Sequence, residues 1–173
     1  RAVLNCQPAP KIPALDVSSE MLELAHQPQG ENAHGLNYIR GDAMAPPFPK
    51  EYFEAITVGY GLRNVADLSA CIKNILSLLK PSGVLVCLDV GKVNIPVIAQ
   101  LNRFYFFKIV PLIGKWLMPG QEMFDYLPHS SINYPDQKKL KKILLEEGFQ
   151  KVDVYDFVFG ASTIHVAQKP ASS

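Results

Sequence analysis

Short apolar runs alternate with helix-period segments through the first half of this chain, and a chain so patterned folds as strand-helix-strand units around a parallel sheet. The first clear strand is Ile12 to Val17; it ends on Asp16, and Ser18 or Ser19 can cap the helix that carries Met21, Leu22 and Ala25. A second strand, Leu36 to Arg40, runs into Gly41-Asp42-Ala43, and after Pro46, Pro47 and Pro49 a third runs from Phe53 to Val58. Asp67 precedes a helix whose apolar positions, Leu68, Cys71, Ile72, Ile75, Leu76 and Leu79, make one buried stripe, with Pro81-Ser82-Gly83 as its stop. Val84 to Val90 is a nearly continuous apolar run, the pattern of a central strand covered on both faces.

Toward the end, Asp136 caps a helix with Leu140, Ile143 and Leu144 on one side, Lys138, Lys139, Lys141 and Lys142 largely on the other, and Gly148 as its stop. Lys151 to Val158 and Thr163 to Gln168 are β-rich runs around Phe159-Gly160-Ala161-Ser162, which predicts a closing hairpin. The sum is a three-layer α/β sandwich with a mostly parallel sheet and an antiparallel end. In such sheets ligands sit beyond the carboxyl ends of the strands, where Asp16, Asp42 and Gly59 fall.

A length of 173 residues with 48% apolar side chains fits one domain spanning residues 1–173. A formal charge of +1 offers no field for gathering polyanions, so nucleic acid is not an expected partner. Cys6, Cys71 and Cys87 are odd in number and unpaired in spacing, which together with the lack of a basic-then-apolar leader points to a reducing, intracellular compartment. The apolar stretch from Pro96 to Met118 is interrupted by Arg103, Lys108, Pro111 and Lys115, so it suits lying on a membrane rather than crossing it. His26, His34, His129 and His165 lack metal-ligand spacing and no Cys-x-x-Cys occurs, so no metal is expected. Nor is there a Gly-x-Ser-x-Gly elbow or a phosphate loop, which argues against hydrolases and nucleotide triphosphatases.

Asp16 ends its strand with two coplanar oxygens that can take both ribose hydroxyls of an adenosine ligand, or it is an ordinary helix-capping acid. Asp42 can meet an adenine amino group while Ala43 lets the ring lie on the backbone, or it is a turn residue. Gly59-Tyr60-Gly61-Leu62-Arg63-Asn64-Val65 pairs two glycines that permit close approach with polar side chains that can line a site; its bland reading is a turn with Arg63 in a surface ion pair. Residues 96–134 hold Phe104, Tyr105, Phe106, Phe107, Trp116, Phe124 and Tyr126, enough aromatic surface for a substrate-covering lid, or a helical core layer over the sheet.

Asp16-Val17-Ser18-Ser19-Glu20-Met21-Leu22, Gly41-Asp42-Ala43 followed by Pro47-Phe48-Pro49, Gly61-Leu62-Arg63-Asn64-Val65, Leu79-Lys80-Pro81-Ser82-Gly83 and Tyr134-Pro135-Asp136-Gln137 stand in an order and spacing that resemble the ubiquinone/menaquinone biosynthesis C-methyltransferases. The resemblance covers about Leu15 to Lys169. It implies a class I methyltransferase fold, S-adenosylmethionine as donor, and as acceptor a demethylmenaquinol or another prenylated quinol, hence a cytoplasmic protein with transient membrane contact. Carried over by position, Asp16 holds the ribose, Asp42 and Ala43 the adenine, and Gly59, where the family often has Ser, the wall beside the methionine part. Family members also have an Asp-x-x-x-Gly-x-Gly loop and a helix ahead of the strand that ends in Asp16; here only Arg1 to Lys11 precede it, so the fold is expected to be incomplete at its start.

Ring methylation needs a quinol hydroxyl to lose its proton so that charge reaches the neighbouring carbon. A phenol near pKa 10 resists this at neutral pH, and Arg63 is the residue expected to favour the anion, with Tyr60 and Asn64 positioning the ring. His129 and His165 rank below their structural roles as proton acceptors. Two rivals remain at this stage: a methyltransferase-like scaffold without activity, and a methyltransferase for another small molecule. Whether the chain forms a homodimer is left open.

Overall fold

The structure is a computed structural model, and it describes residues 12–26, 36–93, 95, 100, 104, 109 and 134–171. Of the lid expected over 96–134 only residues 100, 104, 109 and 134 are described, and Arg1 to Lys11, His34 and His129 lie outside the described residues. The chain forms two compact units, one ending at Phe48 and the other beginning at Pro49.

In the first unit, β1 (Ile12–Asp16) and β2 (Leu36–Arg40) pair in parallel, with Asp16 opposite Arg40. Between them α1 (Ser19–His26) starts at Ser18, whose Oγ accepts from the Met21 N–H at 3.2 Å; Ser18 is thus the cap rather than Ser19. The Tyr38 hydroxyl donates to the Ala25 carbonyl at 3.1 Å and ties β2 to the end of this helix. Leu22 and Ala25 turn inward while Met21 stays exposed.

The second unit is a four-stranded sheet in the order β3-β4-β6-β5, built from β3 (Phe53–Gly59), β4 (Leu79–Val90), β5 (Lys151–Phe157) and β6 (Ser162–Gln168). β3 runs parallel to β4, and the β5-β6 hairpin closes the sheet antiparallel to β4. β4 is central, as its apolar run implies. Its burial alternates, however: Leu85, Cys87 and Asp89 are buried while Val84, Val86 and Leu88 are half-buried. The fully covered face is the one that meets α2 (Leu68–Leu78) and α3 (Gln137–Glu146). Gln137 at the start of α3 bonds His165 beside Cys87, and Lys73 of α2 pairs with Glu147 just past α3. Ile72, Leu79, Leu85, Leu140 and Leu144 form the fully buried heart of this layer. Asp67 and Asp136 cap their helices as expected, accepting from the Ala70 and Lys139 N–H groups.

One boundary moves. Leu79, expected as the last apolar residue of α2, is instead the first of β4, and Pro81-Ser82-Gly83 lie within that strand at a bulge opposite Phe53 and Ala55. Ser82 takes φ 61° to make the irregularity, and Gly83 has a Lys80 carbonyl where a Cβ would stand, at 2.8 Å.

Candidate active site at the strand ends

At the carboxyl edge of the β1-β2 pair, Asp16 and the Gly41-Asp42 turn are neighbours, since the Gly41 N–H donates to the Asp16 carbonyl at 3.0 Å. Asp16 Oδ1 accepts from the Ser18 N–H at 2.8 Å, so the acid orders the turn into α1 without itself capping the helix. Asp42 Oδ1 accepts from the Met44 N–H at 2.8 Å, which is the turn geometry, on an exposed side chain beside an exposed Ala43. A Cβ at Gly41 would lie 2.7 Å from Leu15 Cδ1, so a side chain here would have to push the end of Leu15 aside. These groups suit an adenosine: half-buried Asp16 stands at the strand end with one carboxylate oxygen engaged by its own turn, and Asp42 and Ala43 face outward beside it.

At the carboxyl edge of the second unit, β3 ends on exposed Gly59, where a Cβ would meet nothing within 4 Å. The Tyr60 N–H still bonds the Leu88 carbonyl at 2.8 Å, and Tyr60 takes φ 57°, a left-handed conformation uncommon for an aromatic residue. The chain then makes one 3-10 turn, Leu62–Asn64, anchored by buried Leu62. This turn aims Arg63 inward and leaves Asn64 exposed.

Arg63 Nη1 lies 3.0 Å from Asp89 Oδ1, with side chains only 7% and 4% exposed, so the ion pair is internal and not the surface pair of the bland reading. The guanidinium carbon sits 5.2 Å from the Tyr60 ring centroid, a cation–π contact that brings two of the three expected catalytic residues together. Arg63 is therefore not a free cation; Asp89 already balances it. Asp89 Oδ1 also accepts from the Val90 N–H at 2.8 Å. Its Oδ2 and Arg63 Nε are enclosed without a hydrogen bond, while the buried Tyr134 hydroxyl lies against the Cys87 thiol. Burial raises the proton affinity of Asp89, against the opposing pull of the Val90 N–H and of Arg63. The Cys87 thiol below is pushed up to about 12, chiefly by burial and then by the Asp89 charge, and Tyr134 is raised by burial too.

The floor of this edge is clasped by Gln137. Its Oε1 accepts from the Lys92 N–H at 3.0 Å, while its Nε2 donates to the carbonyls of Lys92 at 3.0 Å and Gly160 at 3.2 Å. Gly91 has no space for a side chain: a Cβ would stand 2.2 Å from the Gly160 oxygen and 2.3 Å from Thr163 Oγ1. His165 Nε2 meets the Gln137 carbonyl at 3.1 Å, and burial lowers its pKa, so it is a neutral member of the clasp and not a candidate base. Asp89 and Gln137 escaped the sequence reading as site residues. The available signal for Asp89 was an acid inside an otherwise apolar central strand, which must find a partner.

The sequence model of the ubiE/COQ5 methyltransferase family matches residues 3–169. The chain belongs to this family. Among ubiE/COQ5 relatives, a demethylmenaquinone methyltransferase of Leptospira interrogans is 46% identical over 164 residues, 92% of this chain and 66% of that protein. One of Staphylococcus haemolyticus is 33% identical over 163 residues, 94% of this chain and 68% of that protein. The chain thus spans about two thirds of the length of the curated relatives it matches. Solved structures share the fold at low identity. The CurJ carbon methyltransferase matches at TM-score 0.69 and 19% identity, over 98% of this chain and 44% of that one. An S-adenosylmethionine-dependent methyltransferase of Thermotoga maritima matches at 0.65 and 16%, over 91% and 72%. The [4+2]-cyclase SpnF matches at 0.67 and 17%, over 94% and 68%, so the fold alone does not name the reaction.

Proposed function

We propose that the protein methylates a ring carbon of a prenylated quinol, most closely a demethylmenaquinol, with S-adenosylmethionine as donor. The observation that carries this is the family-specific Gly-Leu-Arg-Asn-Val segment: it forms the turn that plants Arg63 on Asp89 at the carboxyl edge of the sheet, in a chain 46% identical to a demethylmenaquinone methyltransferase. S-adenosylmethionine supplies an electrophilic methyl group when bound. In the first unit Asp16 is the residue for its ribose, and Asp42 and Ala43 those for its adenine; in the second, Gly59 leaves its own strand end open. Tyr60 offers an exposed ring face against which a quinol stacks, Arg63 stands behind it as a fixed positive charge paired with Asp89, and Asn64 is exposed on the same turn.

A long apolar acceptor brings the protein to a membrane surface from the cytoplasmic side. Among the described residues no helix is long and apolar enough to cross a membrane.

Calorimetric titration of the full-length protein with S-adenosylmethionine tests the reading, followed by addition of a short-tailed demethylmenaquinol. Saturable binding and a methylated quinol support it. A failure to bind the donor favours the scaffold, and binding without transfer to quinols favours another small acceptor.

A further inference from the structure

We propose that Asp89 is the group that receives the proton lost by the acceptor's ring hydroxyl, an inference that rests on the quinol methylation proposed above. The geometry is specific. Asp89 ends the buried face of the central strand, one residue before β4 finishes, at the edge where Gly59 and Tyr60 stand. One of its oxygens is fully occupied, by Arg63 at 3.0 Å and the Val90 N–H at 2.8 Å. The other, Oδ2, is enclosed with no donor at bonding geometry, although the Arg63 main chain is close enough to act on the charge. A buried carboxylate oxygen left without a donor is costly, so the working protein brings one to it, and a phenolic O–H is a donor of the right kind. Tyr60, 43% exposed, packs on the Arg63 guanidinium and so stands at the same strand edge as the Arg63–Asp89 pair.

The other ionisable groups around Asp89 do not compete for the role. Arg63 cannot give up its proton at working pH, Cys87 and Tyr134 are held protonated by burial, His165 is committed to the Gln137 carbonyl, and Asp156 on β5 accepts from Thr163. Burial raises the proton affinity of Asp89 and so strengthens it as a base, while the Val90 N–H and Arg63 oppose that rise. The atoms balance as follows. The ring O–H breaks and its proton goes to Oδ2. The electron pair moves through the ring so that the neighbouring carbon bonds the methyl group as the sulfonium–methyl bond breaks, leaving a neutral thioether. The ring carbon then loses its hydrogen to water while Asp89 returns its proton to the oxygen.

The test has one arm without turnover. 1-Naphthol and 1-methoxynaphthalene differ by the hydroxyl donor and one methyl group, and the change in their affinity ratio between the wild type and Asp89→Asn isolates the donor. A hydrogen bond to a charged acceptor corresponds to roughly a 10- to 100-fold preference for the naphthol in the wild type, which falls to a few-fold in the variant. Should Asp89→Asn fail to fold, the wild type alone decides: the preference must shrink as pH is lowered through the ionisation of Asp89, and a pH-independent preference overturns the assignment. In the turnover arm, Asp89→Asn loses about 10²- to 10⁴-fold in kcat and regains rate with rising pH as the quinol ionises unaided. A purely structural role gives no such recovery. If the wild type methylates quinols and the naphthol preference survives in Asp89→Asn, this assignment alone falls; if the wild type methylates no quinol, the proposed function falls and takes it along.

Discussion

Removing either member of the Arg63–Asp89 pair should destabilise the protein, but with different pH behaviour. The side chains are 7% and 4% exposed, so either substitution strands a buried charge, and breaking such a pair costs about 3–5 kcal/mol against a total stability of about 5–15 kcal/mol. In Asp89→Leu the stranded group is a guanidinium that cannot lose its proton, so the variant's own stability carries no titration of the pair between pH 5.5 and pH 7.5. In Arg63→Met the stranded group is a carboxylate that escapes by taking a proton. Burial already raises Asp89 above its ordinary range and Arg63 opposes that rise, so without Arg63 it rises further. A group whose folded pKa is raised stabilises fully below its unfolded pKa and loses that stabilisation as pH climbs through the folded value. Arg63→Met therefore regains stability as pH falls from 7.5 toward 5, by at most about 1.4 kcal/mol per pH unit. The assay is urea unfolding across that range, with the midpoint and slope followed for all three proteins. Parallel pH curves for the two variants would refute the buried-pair argument.

Further expectations follow from the packing around this pair. Gly91→Ala forces a Cβ to within 2.2 Å of the Gly160 oxygen and disrupts the Gln137 clasp, for a loss of about 2–4 kcal/mol in urea unfolding. Tyr134→Phe removes a buried hydroxyl whose polar neighbour is the weakly bonding Cys87 thiol, so stability should change by less than about 1 kcal/mol in either direction, read by urea unfolding. Phe159, exposed at the hairpin tip with φ 57°, should gain about 0.5–1 kcal/mol on replacement by glycine, read as a higher unfolding midpoint. With its pKa near 12 and its side chain buried, Cys87 should resist iodoacetamide in the folded protein at pH 8 and react on unfolding, as followed by mass spectrometry.

Much of this was legible in the chain because the signals were local. Alternating apolar runs and the Asp67, Asp136 and Ser18 caps located β1, β2, β3, β5, β6 and the three α-helices to within about two residues, but only the second half of β4 and neither 3-10 turn. The end of α2 was misplaced because Leu79 follows Leu76 at a spacing that serves a helix stripe, while its burial comes from the sheet instead. Arg63 was legible as a site residue from its glycine-flanked turn, but its state was not: its counter-charge is 26 positions away, in a strand where one acid among valines and leucines attracts little notice. Likewise Gln137 reads as the first residue after a cap, and its role appears only where the chain leaves β4 and enters β6. The family motifs supplied what the local signals could not.

The account turns on carbon methylation of a quinol, and the most direct measurement is to supply the full-length protein with S-adenosylmethionine bearing a deuterated methyl group and a short-tailed demethylmenaquinol, then locate the label by tandem mass spectrometry. Label on the ring carbon, abolished in Arg63→Met, is the expected result. Label on oxygen, or an unlabelled quinol beside intact donor, contradicts it.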